Sequence, residues 1–255
     1  MTDPGMRLLL VVLAKNEESQ LAKTVRGLQA ACAPETVAAI VLLLAANATE
    51  GCLRTASQLR GTAFPIPVEI FMQPCADLFA SARAAVDSVP RATHVLFLAS
   101  DYFLESRAVA GLAARAAGNP MVVHKFSRAL PGGGFSPGYP AGAVPLYRLF
   151  CAFVRLLYGC GVTDPVFPVM IVPVRLLRLF RNKRGSLLAW AEWVFALMRA
   201  KTPIEEVPAE SLPRTEQENS STLLTRLRCA AIAVSMRFAP LERIWKEAFF
   251  SGGEA

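Results

Sequence analysis

The chain has 255 residues, 53% hydrophobic and only 18% charged, with a mean hydropathy of +0.38. This excludes a disordered or fibrous protein and allows a sizeable core in one large or two small domains. Twenty-seven lysines and arginines against 20 carboxylates give 27 − 20 = +7, a surface suited to an anionic partner: nucleic acid, a phosphorylated ligand or an acidic membrane.

Leu8–Leu13 is a continuous aliphatic run that reads as a buried strand, followed by the polar turn Lys15-Asn16-Glu17-Glu18-Ser19. Leu21, Val25, Leu28 and Ala31 recur at helical spacing. A second aliphatic strand, Ala39–Leu44, leads into a turn at Ala45–Gly51 and a helix at Leu53–Leu59. Val68–Met72 is a third strand, Ala76–Ser88 a helix of small residues, and Thr93–Leu98 a fourth strand ending at Ala99-Ser100-Asp101. Wholly apolar strands joined by helices mark a parallel sheet covered on both faces, so the first 120 residues or so read as doubly wound α/β. Ligands in such sheets bind beyond the carboxyl ends of strands, which directs attention to the turns after Leu13, Leu44 and Leu98.

The character then changes. Val122–Ser127 reads as a strand leading into Pro131-Gly132-Gly133-Gly134 and a loop rich in glycine and proline up to Pro145. Leu146–Tyr158 reads as a helix with Arg148 and Arg155 on nearly one face. Gly142–Val162 alone approaches a membrane span; those two arginines interrupt it, which leaves a helix lying on a membrane surface as the open reading. Val174–Phe180 and Leu187–Arg199 are further helices, the second carrying Trp190, Glu192 and Trp193, and Ile204–Val207 is a short strand. Beyond the polar Thr215–Thr222, a basic, apolar helical tail runs from Leu223 to Phe250, giving a division into 1–222 and 223–255.

Cys32, Cys52, Cys75, Cys151, Cys160 and Cys229 form no CxxC pair and read as free thiols of a reducing cytoplasm. His94 and His124 are the only histidines, which all but excludes zinc sites and histidine-based triads. Met1–Arg7 lacks the marks of a signal peptide. No nucleic-acid-binding module is recognisable, and the aromatics form no stacking platform, so nucleic acid is not an expected partner.

The order of these segments resembles family 2 glycosyltransferases of the GT-A fold, most closely the dolichol- or polyprenyl-phosphate mannosyltransferase branch. Leu10-Val11-Val12-Leu13-Ala14-Lys15-Asn16-Glu17-Glu18 is similar to that family's opening strand and P-A-Y-N-E turn. Ser127-Arg128 before Pro131-Gly132-Gly133-Gly134 resembles its S-R-x-x-x-G-G segment. Arg148, Arg155-Leu156-Leu157-Tyr158-Gly159 and Thr163-Asp164-Pro165 follow its helix and S-D-P turn. Glu192, and Glu206-Val207-Pro208 before Arg214, match its closing part.

The resemblance implies an α/β GT-A fold, a mostly parallel sheet flanked by helices, with the basic helical tail appended. It implies an inverting enzyme at the cytoplasmic membrane face, moving a sugar from a nucleotide donor to a polyprenyl phosphate or related lipid. It places the nucleotide at Ala14, Asn16, Glu17, Ala46 and Ser100, and phosphate or acceptor contacts at Lys15, Ser127, Arg148 and Arg214. Asp101 and Arg128 take the catalytic roles, with Mg²⁺ or Mn²⁺ on Asp101, or cationic side chains in place of a metal.

Each residue also has a plainer reading. Glu17 suits the positive end of a helix. Lys15 suits solvent, Arg128 a surface ion pair, Asp101 a helix cap, Glu105 a solvated helix surface and Asp164 an Asx turn. No general base is evident; a lipid phosphate acceptor, dianionic near neutrality with a second pKa of about 6, needs none. The basic segments Arg175–Arg184 and Arg226–Lys246 suit an anionic leaflet or ordinary packing on the sheet.

Three departures favour a second hypothesis. Where the family carries acidic residues, the chain has Ala45, Ala46 and Ala99, and no lysine follows Arg214 in its late motif. That pattern suits a divergent GT-A protein that binds a ligand or partner without transfer, or one that uses an unusual donor without a metal.

Overall fold

The computed structural model describes residues 5–73, 78–100, 105–135, 142–167, 169–181, 188–209 and 223–246. The first aliphatic run forms β1 (Leu8–Ala14), and the helical spacing after it forms α1 (Glu18–Ala31), which buries Leu21, Val25 and Leu28. β2 (Val37–Leu44) is buried along its whole length. α2 (Glu50–Gly61) starts at Thr49, whose side chain accepts from the Cys52 N–H and satisfies one orphan donor of the first turn. β3 (Val68–Met72), α3 (Leu78–Asp87) and β4 (His94–Ala99) follow.

α4 (Ser106–Gly118) buries Val109, Leu112, Ala113 and Ala116 before β5 (Val123–Ser127) and α5 (Ala143–Tyr158). α5 ends at Gly159, whose φ of 62° is the left-handed turn that closes helices and costs glycine little. The remaining elements are β6 (Met170–Pro173), α6 (Val174–Leu179), α7 (Leu188–Arg199), β7 (Ile204–Pro208), α8 (Leu223–Phe238) and α9 (Leu241–Ile244).

Among the described residues, seven strands lie in one sheet in the order β3-β2-β1-β4-β6-β5-β7. β1 pairs in parallel with β2 and β4, β2 with β3, and β5 with β7. β6 alone runs antiparallel, wedged between β4 and β5. The sheet is thus mostly parallel, as expected, with β1 to β4 wholly so, and α4 and β6 are additions to the elements read from the sequence. Alternate residues of β1 face opposite cores: Leu8, Leu10 and Val12 join the residues of α1, α2 and α4, while Leu9 and Val11 join those of α3, α5, α6, α7 and α8.

α7 is buried from Ala189 to Met198, because it lies between the sheet and α8. Its Trp190 and Trp193 pack with Phe79 and Phe97 at ring separations of 4.7–6.4 Å. Leu176, Leu177 and Phe180 are core residues, so the basic segment around α6 follows the plainer of its two readings: its apolar side packs on the sheet. α8 does so in part, burying Cys229, Ile232, Ala233 and Met236 in the same core. Trp245 is wholly buried against Phe180, with ring centroids 5.8 Å apart. The five described cysteines are free, four of them buried; Cys75 lies outside the described residues. Among the described residues no helix is long and apolar enough to cross a membrane.

Candidate functional site

The carboxyl ends of β1, β2 and β4 meet in one cluster of turns. The Ala45 N–H donates to Ala14 O at 2.9 Å, Ser100 N–H to Leu13 O at 2.8 Å and Thr49 N–H to Lys15 O at 3.0 Å. Glu17 joins them. Its carboxylate does not cap its own helix; Oε2 turns back to accept from the N–H groups of Lys15 at 2.8 Å and Asn16 at 3.1 Å. The Ser100 hydroxyl donates to the same oxygen at 3.2 Å. The Thr24 hydroxyl of α1 donates to Ser100 O at 3.2 Å, fixing the end of β4 from the other side.

Ala14, Lys15, Asn16, Glu17, Ala46 and Ser100 are thus brought to one edge of the sheet. Lys15, Asn16 and Ala46 are exposed, and Ala14 and Ser100 are buried. Asp101, the next residue after Ser100, lies outside the described residues, as does Arg214. Among the described residues no three His, Cys, Asp or Glu side chains gather as a metal site. Neither histidine approaches one: His94 Nε2 bonds Pro120 O at 2.7 Å and His124 Nε2 bonds Asn119 O at 3.0 Å.

A second cluster sits at the carboxyl ends of β5 and β7, on the same edge and separated from the first by β6. Arg128 holds Asp164 with both arms of its fork, Nε–Oδ2 at 2.8 Å and Nη2–Oδ1 at 3.0 Å, and its own N–H donates to Oδ2 at 3.0 Å. The Tyr147 hydroxyl donates to Asp164 Oδ1 and accepts from Arg128 Nη2. The guanidinium carbon lies 4.4 Å from the Phe167 ring centre, 5.0 Å from Phe135 and 5.2 Å from Tyr147. Asp164 is fully buried and Arg128 only 12% exposed.

Arg128 therefore grips a carboxylate with both arms, in a buried pair rather than the surface pair of its plainer reading. Asp164 is the anchor of this network, beyond an Asx turn. Burial alone would raise its carboxyl, but the Arg128 charge and hydrogen bonds outweigh that and hold it at about 2.

Glu206 of β7 fixes the Asp164 loop from behind, accepting from the Thr163 N–H at 2.6 Å, the Thr163 hydroxyl at 2.7 Å and the Asp164 N–H at 3.1 Å. The Ser127 and Thr163 hydroxyls share a bond of 2.7 Å, so Ser127 is wholly buried and engaged within the protein. Lys125, also wholly buried, donates to Phe126 O at 3.0 Å. Burial lowers its ammonium to about 8, against the opposing pull of Asp164 and Glu206.

The glycine loop closes over this cluster. A side chain at Gly133 would meet Ser127 O at 2.7 Å, so only glycine lets the loop lie on that backbone. Arg148 stands apart, exposed on α5. Lys125 and Tyr147 are the members sequence reasoning missed; a lysine inside an apolar strand was the available signal for the first. A cavity of about 580 Å³ opens beside the network, lined by Thr163, Glu206, Leu130, Tyr158, Met198 and Lys201 among others. It does not reach the turns after β1 and β4.

This architecture is the GT-A nucleotide-diphospho-sugar transferase fold. Glucosyl-3-phosphoglycerate synthase from Mycobacterium tuberculosis, solved with phosphoglyceric acid, superposes with a TM-score of 0.67 at 15% identity, over 92% of this chain and 81% of that one. The same enzyme with Mn²⁺, uridine diphosphate and phosphoglyceric acid gives 0.66 at 16% identity, over 92% and 80%. A structure described as a mycobacterial protein gives 0.66 at 14%, over 92% and 76%. No family model and no curated protein sequence matches the chain.

Proposed function

We propose that this protein is an inverting glycosyltransferase that moves a sugar from a uridine diphosphate donor to a phosphate-bearing acceptor, in the polyprenyl-phosphate class. The observation that carries the reading is the union of the β1 and β4 turns through Glu17 and Ser100, with the β2 turn bonded to β1 beside them. That is the edge where doubly wound sheets bind ligands. The similar solved enzyme holds uridine diphosphate with Mn²⁺ in one structure, and UDP-glucose with glycerol 3-phosphate in another. Both clusters here share one edge, so a donor over β1–β4 and an acceptor toward β5–β7 would meet above β6.

In the reaction, an acceptor phosphate oxygen attacks the anomeric carbon, the bond from that carbon to the donor β-phosphate oxygen breaks, and uridine diphosphate leaves with the electron pair. A dianionic acceptor brings its own nucleophile. The exposed Lys15 and, with it, Arg214 are the cations assigned to the reacting phosphates, and Arg148, apart on α5, is not among them. Arg128 is a positioning residue that acts through Asp164 and its loop. A divalent ion, if bound, would supply charge neutralisation for the leaving diphosphate. Asp101 is the residue that would hold it, since Mg²⁺ can be held by one protein carboxylate together with substrate phosphates.

Ala45, Ala46 and Ala99 favour one rival: a divergent GT-A protein that binds its ligand without transfer. Calorimetric titration with uridine and guanosine diphosphates, each with and without Mn²⁺, separates these. Uridine diphosphate is expected to bind, more tightly with Mn²⁺. Binding indifferent to Mn²⁺ removes the metal from Asp101, and binding of neither nucleotide overturns the transferase. Nucleotide binding without release of uridine diphosphate from any UDP-sugar in the presence of a short-chain polyprenyl phosphate selects the rival.

A further inference from the structure

α5 and α8 lie side by side on one face of the sheet: the Arg237 Nε donates to Leu157 O at 2.9 Å and the Tyr158 hydroxyl to Ala233 O at 2.8 Å. Their inner sides share one core, Val154 of α5 meeting the same cluster as Ile232, Ala233 and Met236 of α8. Their outer sides therefore face away from the sheet together. Those outer sides are apolar. On α5 the exposed large hydrophobics are Leu146, Leu149, Phe153 and Leu156, spaced i, i+3, i+7, i+10, with Leu149 66% and Leu156 86% exposed. On α8 they are Leu227, Val234 and Phe238, spaced i, i+7, i+11, with Phe238 72% exposed. A helix of a soluble protein turns such a stripe inward; these two carry a second stripe outward, beyond the one already buried.

The charge on the same helices is of one sign. Neither α5 nor α8 contains an aspartate or glutamate, while they hold Arg148, Arg155, Arg228 and Arg237. A two-fold dimer through this face would set each patch against its own copy, arginine facing arginine with no carboxylate to answer. A nucleic-acid backbone would meet the arginines and leave the leucines and phenylalanines in water. A bilayer with anionic headgroups answers both, taking the apolar stripes at the acyl boundary and the guanidinium groups at the phosphates.

We infer that the outer face of α5 and α8 is the surface by which this protein docks on an anionic lipid bilayer, lying on it without crossing it. The inference rests on the lipid-phosphate acceptor reading for its purpose, and on the two helices alone for its geometry.

The test is flotation of the full chain with vesicles of phosphatidylcholine, alone or mixed with phosphatidylglycerol, for the wild type and for Leu149→Gln/Leu156→Gln and Phe238→Gln. All three positions are exposed, and circular dichroism confirms that the variants fold. The wild type is expected to float with the mixed vesicles and not with the neutral ones, and the double variant to bind at least about tenfold more weakly. No flotation, equal flotation on both vesicle types, or unchanged flotation of the variants overturns the inference. So does a solution dimer that the same substitutions dissolve. Transfer to a short-chain, water-soluble polyprenyl phosphate is measured separately. Transfer without flotation sinks the docking surface and leaves the acceptor reading, whereas flotation without transfer sustains the surface and removes the acceptor.

Discussion

Asp164 carries its charge where no water reaches it, between Arg128, Tyr147 and the N–H of residue 128. Replacing it with asparagine keeps the shape and strands a guanidinium among three aromatic rings. Breaking a buried pair from one side costs about 3–5 kcal/mol, so urea unfolding of Asp164→Asn is expected to show a loss of that order. The pair also gives the protein an acid limb of known sign. The carboxyl is held at about 2 against an ordinary 3.8, so the unfolded chain binds the proton more readily. Its contribution, about 2 kcal/mol, is present above pH 4 and is lost as the pH falls from about 4 toward 2. Wild type and Asp164→Asn should therefore converge in stability across that range; parallel curves would show that the pair is not ionised.

Among the elements, the β1–α1 turn holds the clearest link from sequence to site. Glu17→Gln leaves one acceptor where a charged one bound two N–H groups and a hydroxyl. Uridine diphosphate affinity is expected to fall about tenfold, with the melting temperature nearly unchanged because Lys15 and Asn16 are exposed. Unaltered affinity would place the nucleotide elsewhere. This turn was legible because long aliphatic strands announce themselves by composition and end at polar residues. β6 was not, since Met170–Pro173 is four residues that end in a proline shortly after Pro168, and its place is decided by Val95, Leu96 and Lys125 across the sheet. α4 hid behind alanines that blur the spacing of Val109, Leu112, Ala113 and Ala116. The partner of Arg128, 36 positions away, is a matter of topology that spacing does not reveal.

At the scale of the whole molecule, the last described helices are bound into the core. Trp245 is wholly buried, the Lys246 N–H donates to Leu179 O at 2.9 Å, and the Arg181 N–H donates to Ile244 O at 2.7 Å. A chain ending at residue 222 bares the α8 side of α7 and is expected to lose cooperative melting; a sharp, unshifted transition would show that 223–255 is an appendage. The antiparallel strand has a further consequence, in the order of synthesis. β1 to β4 pair among themselves and are complete by Ala99. β5 finds its neighbours only in β6 and β7, both made after it. From Ala99 until β6 begins at Met170, the nascent sheet presents the unpaired edge of β4. At about 5–20 residues per second this is an interval of roughly 4–14 seconds. Throughout it the ribosome carries a half-protein with an open, apolar edge, the state in which a chaperone or an aggregate finds its substrate.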